Sequence, residues 1–278
     1  TNFNFSEGKF YQPPNLVVQQ LQVAQGSTLP TFSTSKTSNK RFGVVQSFAA
    51  NTHVGLVRKA NEDRIAIILN VIQPLAKEPK MAEDEWPKIQ IFAVYDGHGG
   101  NQCAEYLKEH LHNNIILHPK FPANIAQAVV EGSKMTDMNY VTKSFEEYKA
   151  TQKIQNCKSG SCANIVMTFN DDIYVVNVGD SRAIGSKNCG AVALDLSRDH
   201  KPSDPAEFRR IESQGGHIYQ THSVINSSGQ PCLQQIRVPK PPVEKYTMDN
   251  PLIGPFRVFP GRLSVCRTFG DLEAKQPQ

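Results

Sequence analysis

Val94-Tyr95-Asp96-Gly97-His98-Gly99-Gly100 closes an apolar run that begins at Ile89, and it precedes a segment of helical periodicity. The run reads as a buried strand, so Asp96 stands at a strand end. A carboxylate there can hold a hard cation, and the glycines let backbone approach a ligand closely. The imidazole of His98, two residues on, can move a proton near neutral pH. These seven residues read as a compact reaction centre.

Upstream, residues 42–50 and 65–69 read as strands, with Arg58 and the acidic pair Glu62-Asp63 between them. The strand that delivers Asp96 spans 88–95. Two helices follow. In the first, Ala104, Leu107, Leu111 and Ile115 recur every three or four residues. In the second, over about 124–148, the apolar stripe is Ile125, Val129, Met135, Met138, Val141, Phe145 and Tyr148, which is core spacing. His110, His112 and His118 are expected at the surface.

Residues 163–169 and 173–178 are apolar runs joined by Asn170-Asp171-Asp172, a hairpin signal. Both faces are apolar, so the hairpin is expected at the centre of a covered sheet. A second hairpin, 183–186 with 191–196, turns at Asn188-Cys189-Gly190. Asp204, Pro205 and Glu207 supply an N-cap, a first-turn proline and a capping glutamate, and Gly215-Gly216 stops that helix. Residues 217–262 are rich in proline without an obvious element, as in a functional lid or insertion. A last strand is expected over 263–267. Paired strands and consecutive helices argue for an α+β fold, antiparallel sheets with helices outside.

The 278 residues suffice for one large domain. Residues 1–41, rich in Gln, Ser, Thr, Asn and Pro and lacking any period, are expected to form a disordered extension. They carry too little apolar surface to offset their ordering entropy. A net charge of +4, with no block of like charges, gives no reason to expect nucleic acid. The six cysteines form no CxxC pair and no zinc spacing, so they read as small apolar fillers in a reducing compartment. No apolar run approaches the ~20 residues that span a bilayer, and no signal peptide is evident at the start. The expectation is a monomer of the cytoplasm or nucleus, away from membranes.

Glu62, Asp63, Asp96, Asp180, Asp199 and Asp271 are oxygen donors on or beside strands. Oxygen ligands select magnesium or manganese over zinc or copper. Two such ions roughly 4 Å apart can activate water and neutralise a phosphoryl group. Arg58 precedes the acidic pair, and a guanidinium is the natural bidentate partner of phosphate oxygens. His98 is placed to protonate a leaving alkoxide. No P-loop, Gly-x-Ser-x-Gly elbow or Cys-x5-Arg arrangement points to a covalent nucleophile. The constellation is that of metal-assisted phosphate ester hydrolysis.

The chain resembles the metal-dependent protein serine/threonine phosphatases, the type 2C or PPM family, through seven motifs in order after residue 42. They are Arg58…Glu62-Asp63, Tyr95-Asp96-Gly97-His98-Gly99-Gly100, Ser159-Gly160-Ser161-Cys162-Ala163 and Val178-Gly179-Asp180-Ser181-Arg182. Then come Asp199-His200-Lys201-Pro202, Arg210-Ile211 leading to Gly215-Gly216, and Leu263-Ser264-Val265-Cys266-Arg267-Thr268-Phe269-Gly270-Asp271. The resemblance implies a β-sandwich of two antiparallel sheets flanked by helices, in four layers α-β-β-α, over residues 42–278. It implies a binuclear Mg²⁺ or Mn²⁺ site and a metal-bridging water that attacks phosphoserine or phosphothreonine in a phosphoprotein substrate. On that mapping Asp96 bridges the ions, the Gly97 carbonyl is a ligand, Glu62 holds one ion and Asp63 contacts the site through water. Arg58 grips the phosphate, His98 is the general acid, and Asp180 serves a third, weaker metal.

Residues 217–262 fall where the family carries a flap, longer here than is usual. Cys162 and Cys266 stand where threonine and serine are usual. The family also continues past its Gly-Asp strand to an Asp-Gly and an Asp-Asn that complete one metal site. Seven residues follow Asp271, so the expectation is a C-terminally incomplete domain with little activity alone. The alternative is a catalytically inactive relative that binds phosphoproteins as a scaffold.

Overall fold

The computed structural model describes residues 36–38, 43–82, 85–152, 158–225, 230–239 and 254–275. The first half runs β1 (Lys36–Ser38), β2 (Phe48–Ala50), β3 (Arg64–Ile68), β4 (Ile89–Tyr95), β5 (Gly97–His98), α1 (Gln102–Ile116) and α2 (Ile125–Thr151). Next come β6 (Gly160–Ser161), β7 (Ala163–Phe169), β8 (Asp172–Val178), β9 (Ile184–Lys187) and β10 (Val192–Asp195). The remainder is α3 (Pro205–Ser213), β11 (His217–Ile225), β12 (Pro231–Arg237), β13 (Arg257–Phe259), β14 (Phe269–Gly270) and α4 (Leu272–Lys275).

The fold is mixed α and β with antiparallel sheets, as expected. The strands divide into a four-stranded sheet of order β3-β4-β7-β8, three-stranded sheets β14-β6-β5 and β12-β11-β13, and the ribbons β1-β2 and β9-β10. One of these divisions has a local cause at Asp96. The chain leaves one sheet at Tyr95 and enters another at Gly97.

Alternation along β4 builds the core. Ile89, Ile91, Ala93 and Tyr95 are buried on one face beside Ala163, Ile165 and Met167 of β7, under Leu107, Leu111 and Ile115 of α1. Each large side chain of this set contributes about 1.5–3 kcal/mol by leaving water. On the opposite face Phe92 packs on Phe48 with centroids 5.8 Å apart.

Helix α2 departs from its expected stripe. Its buried face is Ile125, Ala128, Gly132, Thr136, Tyr140 and Ser144, whereas Met135 and Met138 are exposed. The cause is a close helix-helix crossing. A Cβ at Gly132 would lie 2.9 Å from the Ile115 Cα, and the Asn114 amide donates to the Thr136 hydroxyl at 2.8 Å. Small residues win the interface because backbone must approach backbone, and the methionines are pushed to its flank.

Other expectations are corrected. The strand expected at 42–50 is confined to β2, which pairs with β1 inside the stretch expected to be disordered; residues 1–35 lie outside the described residues. The 163–178 hairpin is not wholly central, because β8 is an edge strand with Ile173 exposed. His118 is buried, with Nε2 2.8 Å from Glu131 and its carbonyl accepting from Lys77. The stretch read as a proline-rich loop contains β11, β12 and β13, joined by regular cross-strand pairing despite its prolines; residues 226–229 and 240–253 lie outside the described residues. Residues 263–267 form no strand beyond an isolated bridge from Leu263 to Val258. Asp204 caps α3 as read, accepting from the Ala206 amide at 2.8 Å. Glu207 turns instead to Arg210 and Arg267.

Candidate active site

Strand register assembles the site. Arg64 pairs with Tyr95, Val94 with Asn164, and Ala163 with Val178. One or two residues beyond these pairs, Asp63, Asp96, Cys162 and Gly179-Asp180 form a row across one end of the four-stranded sheet. The Cys162 amide donates to the Asp96 carbonyl at 2.9 Å, which continues the ladder past the strand ends. Gly179 has φ 106°, and a Cβ there would overlap the Cys162 sulfur, so only glycine lets the chain turn Asp180 back toward Asp96.

A ligand atom from each of Asp96, Cys162 and Asp180 lies within 4.8 Å of the other two. The Cys162 Sγ donates to Asp180 Oδ1 at 3.5 Å. Burial pushes the Cys162 thiol up to about 12, so it stands as a protonated donor and not a thiolate ligand. Asp63 stands beside Asp96. Burial, followed by the charges of Asp63 and Asp180, raises the Asp96 carboxyl above its ordinary range. Mutually repelling carboxylates beside a neutral thiol fit a hard divalent cation and not zinc. Lys201 Nζ stands 3.5 Å from Asp180 Oδ2 and 3.9 Å from Asp199 Oδ2.

Glu62 faces the glycine-rich turn. Its Oε1 accepts from the Gly100 amide at 2.7 Å, and its carbonyl oxygen would overlap any Cβ at Gly97. Arg64 braces this loop, donating to the Asn61 and Asp63 carbonyls at 3.1 and 2.8 Å and pairing with Glu105. Arg58 is exposed and has no hydrogen bond or ion pair among the described residues. Asp199 is paired with Arg182 at 2.9 and 3.0 Å.

His98 Nε2 lies 2.9 Å from both carboxylate oxygens of Asp271. Burial alone would depress this histidine. The hydrogen bond and charge of Asp271, with Asp96 and Glu62 adding to them, outweigh burial and raise it. Thus the structure gathers Asp63, Asp96 and Asp180, puts Glu62 and His98 on the adjoining turn, and leaves Arg58 exposed. Two participants lacked an assigned role in the sequence. Cys162 was visible only as a replacement for threonine. Asp271 stood among the oxygen donors with nothing to mark it as the partner of a histidine 173 residues away.

Fold and site together define a mixed α/β protein with antiparallel sheets and a carboxylate cluster suited to a hard cation. The chain belongs to the protein phosphatase 2C family, whose model matches residues 52–278. It is 36% identical over 173 residues to "Probable protein phosphatase 2C 52" of Oryza sativa subsp. japonica, covering 59% of this chain and 33% of that protein. It is 36% identical over 179 residues to "Probable protein phosphatase 2C 76" of Arabidopsis thaliana, covering 62% of this chain and 40% of that one. The chain therefore spans well under half the length of these relatives. Its fold is similar to that of a solved chain titled "Structure of a C.elegans sex determining protein", with TM-score 0.51, 20% identity, and coverage of 91% of this chain and 48% of that one. The family is one of metal-dependent serine/threonine phosphatases. No described helix is long and apolar enough to cross a membrane.

Proposed function

We propose that this chain carries catalytic residues of a protein serine/threonine phosphatase that hydrolyses phosphoserine and phosphothreonine with Mg²⁺ or Mn²⁺. The convergence of Asp96, Asp180 and Cys162 within 4.8 Å, with the charge of Asp63 felt at Asp96, carries this reading. Asp96, Asp63, Glu62 and the Gly97 carbonyl would hold two ions, and Asp180 a weaker third. When bound, such ions neutralise phosphoryl oxygens and make water more acidic.

The chain's own residues supply the rest. Arg58, exposed and unpaired among the described residues, grips two phosphate oxygens through its planar fork. Asp96 and Asp63 orient the attacking water. His98 gives a proton to the departing serine or threonine oxygen as its bond to phosphorus breaks. The substrate is a phosphoprotein.

The test is phosphate release from a phosphothreonine peptide with Mn²⁺, comparing the wild-type chain with Asp96→Asn. We expect hydrolysis, slow in this chain alone, that needs the cation and falls by roughly 10²-fold or more in the variant. Equal turnover in EDTA, or in Asp96→Asn, would overturn the assignment. Comparison with p-nitrophenyl phosphate separates a protein phosphatase from a hydrolase of small esters.

A further inference from the structure

In the β14-β6-β5 sheet, His98 pairs with Gly160, and Gly160 stands opposite Gly270 on the far side. Glycine at the central position leaves a gap in the layer of side chains. Asp271, the residue after β14, fills it. A Cβ at Gly160 would overlap the Asp271 carboxylate. Across this gap His98 Nε2 meets both Asp271 oxygens at 2.9 Å.

The carboxylate is held firmly. Its side chain is 5% exposed, and the Asp271 amide donates to the Ser159 carbonyl at 3.1 Å. The preceding Gly270 amide donates to Asp137 at 2.8 Å, and Asp137 also takes Lys275 at 2.7 Å, which ties the corner to α2. Asp271 itself sits at φ 53°, a conformation that side chains other than glycine adopt at a cost. An ionised carboxylate only accepts hydrogen bonds, so the nitrogen facing it carries a hydrogen. Buried carboxylates fix the tautomer and orientation of imidazoles in hydrolytic triads in this way.

We infer that Asp271 is a positioning residue that holds the Nε2–H of His98, making Nδ1 the atom that passes a proton to the leaving oxygen. The inference rests on the phosphatase reading above. In the step, the phosphorus–oxygen bond to serine or threonine breaks and its electron pair goes to the leaving oxygen. The Nδ1 proton follows, and water oxygen forms the new bond to phosphorus as one of its protons passes to solvent. The imidazole keeps its Nε2–H on Asp271, and a proton from solvent restores Nδ1–H.

The test uses Asp271→Asn, which keeps volume and tolerates the positive φ, and Gly160→Ala, which displaces the carboxylate without removing its charge. Long-range ¹H–¹⁵N correlations read the His98 tautomer. Turnover is measured on a phosphothreonine peptide and on p-nitrophenyl phosphate, whose leaving group needs no proton. We expect Nε2–H in the wild type and mixed tautomers in both variants. Peptide kcat should fall by roughly 10²-fold, with KM and p-nitrophenyl phosphate turnover within about twofold. A neutral wild-type imidazole with its hydrogen on Nδ1 alone, or equal losses on the two substrates, overturns the inference. If the wild type hydrolyses neither substrate, the phosphatase reading fails, and the tautomer in the wild type and variants still decides the pairing.

Discussion

Asp96 and Cys162 face each other across the ends of β4 and β7, and the Cys162 amide donates to the Asp96 carbonyl at 2.9 Å. That bond fixes the backbone of Asp96 by the sheet, so its carboxylate must tolerate Asp63 and Asp180 beside it. The site is built at an electrostatic cost that a divalent cation would offset.

Asp96→Asn should therefore separate stability from metal binding. The folded carboxyl is raised, so Asp96 contributes stability at low pH that is lost as pH rises through its folded value. Without divalent ions, the variant should unfold at neutral pH no lower in temperature than the wild type. Its Mn²⁺ affinity by calorimetry should fall on the order of 10- to 100-fold. A lower Tm in EDTA would contradict the repulsion.

Lys201 shares Asp180 with any cation placed there, at 3.5 Å. Lys201→Met should tighten Mn²⁺ binding by roughly two- to fivefold, because a half-exposed ion pair is weak. Unchanged or weaker binding in calorimetric titration would show that the lysine does not compete.

Glu207 is buried between Arg267 at 2.6 Å and Arg210 at 2.7 Å. Burial alone would raise it, but the two guanidiniums win and hold it at about 2, against 4.5 in an open chain. A depressed carboxyl gives stability that is complete above about pH 4.5 and fades as pH falls toward 2. The linkage amounts to at most about 3 kcal/mol, less for solvent around the partly exposed arginines. Urea unfolding across this window should show a steeper acid loss for the wild type than for Glu207→Gln.

The crossing of α1 and α2 makes opposite forecasts for neighbouring residues. Gly132→Ala would press a methyl on the Ile115 backbone and should cost about 1–3 kcal/mol. Met138→Ala, at an exposed position, should stay within about 0.5 kcal/mol. Chemical denaturation of both variants decides whether the small-residue face is the packed one.

Much of the site was legible because its residues lie at strand ends. Asp96 after an apolar run, Glu62-Asp63 before one, and Asp180 after another were visible from local pattern alone. The helix stripe was misread, since periodicity marks both the methionine face and the Gly132 face and says nothing about how near the other helix comes. The 217–262 stretch was misread because prolines masked strands that pairing partners stabilise.

The amino-acid order by itself determined which acidic residues stand at strand ends, the alternation of β4 and the family of the chain, because these are properties of neighbouring residues. Only the tertiary structure decided that Asp63, Asp96, Cys162 and Asp180 share one row and that His98 is held by Asp271. Those relations depend on strand register and on the space left by Gly160, and long-range packing sets both.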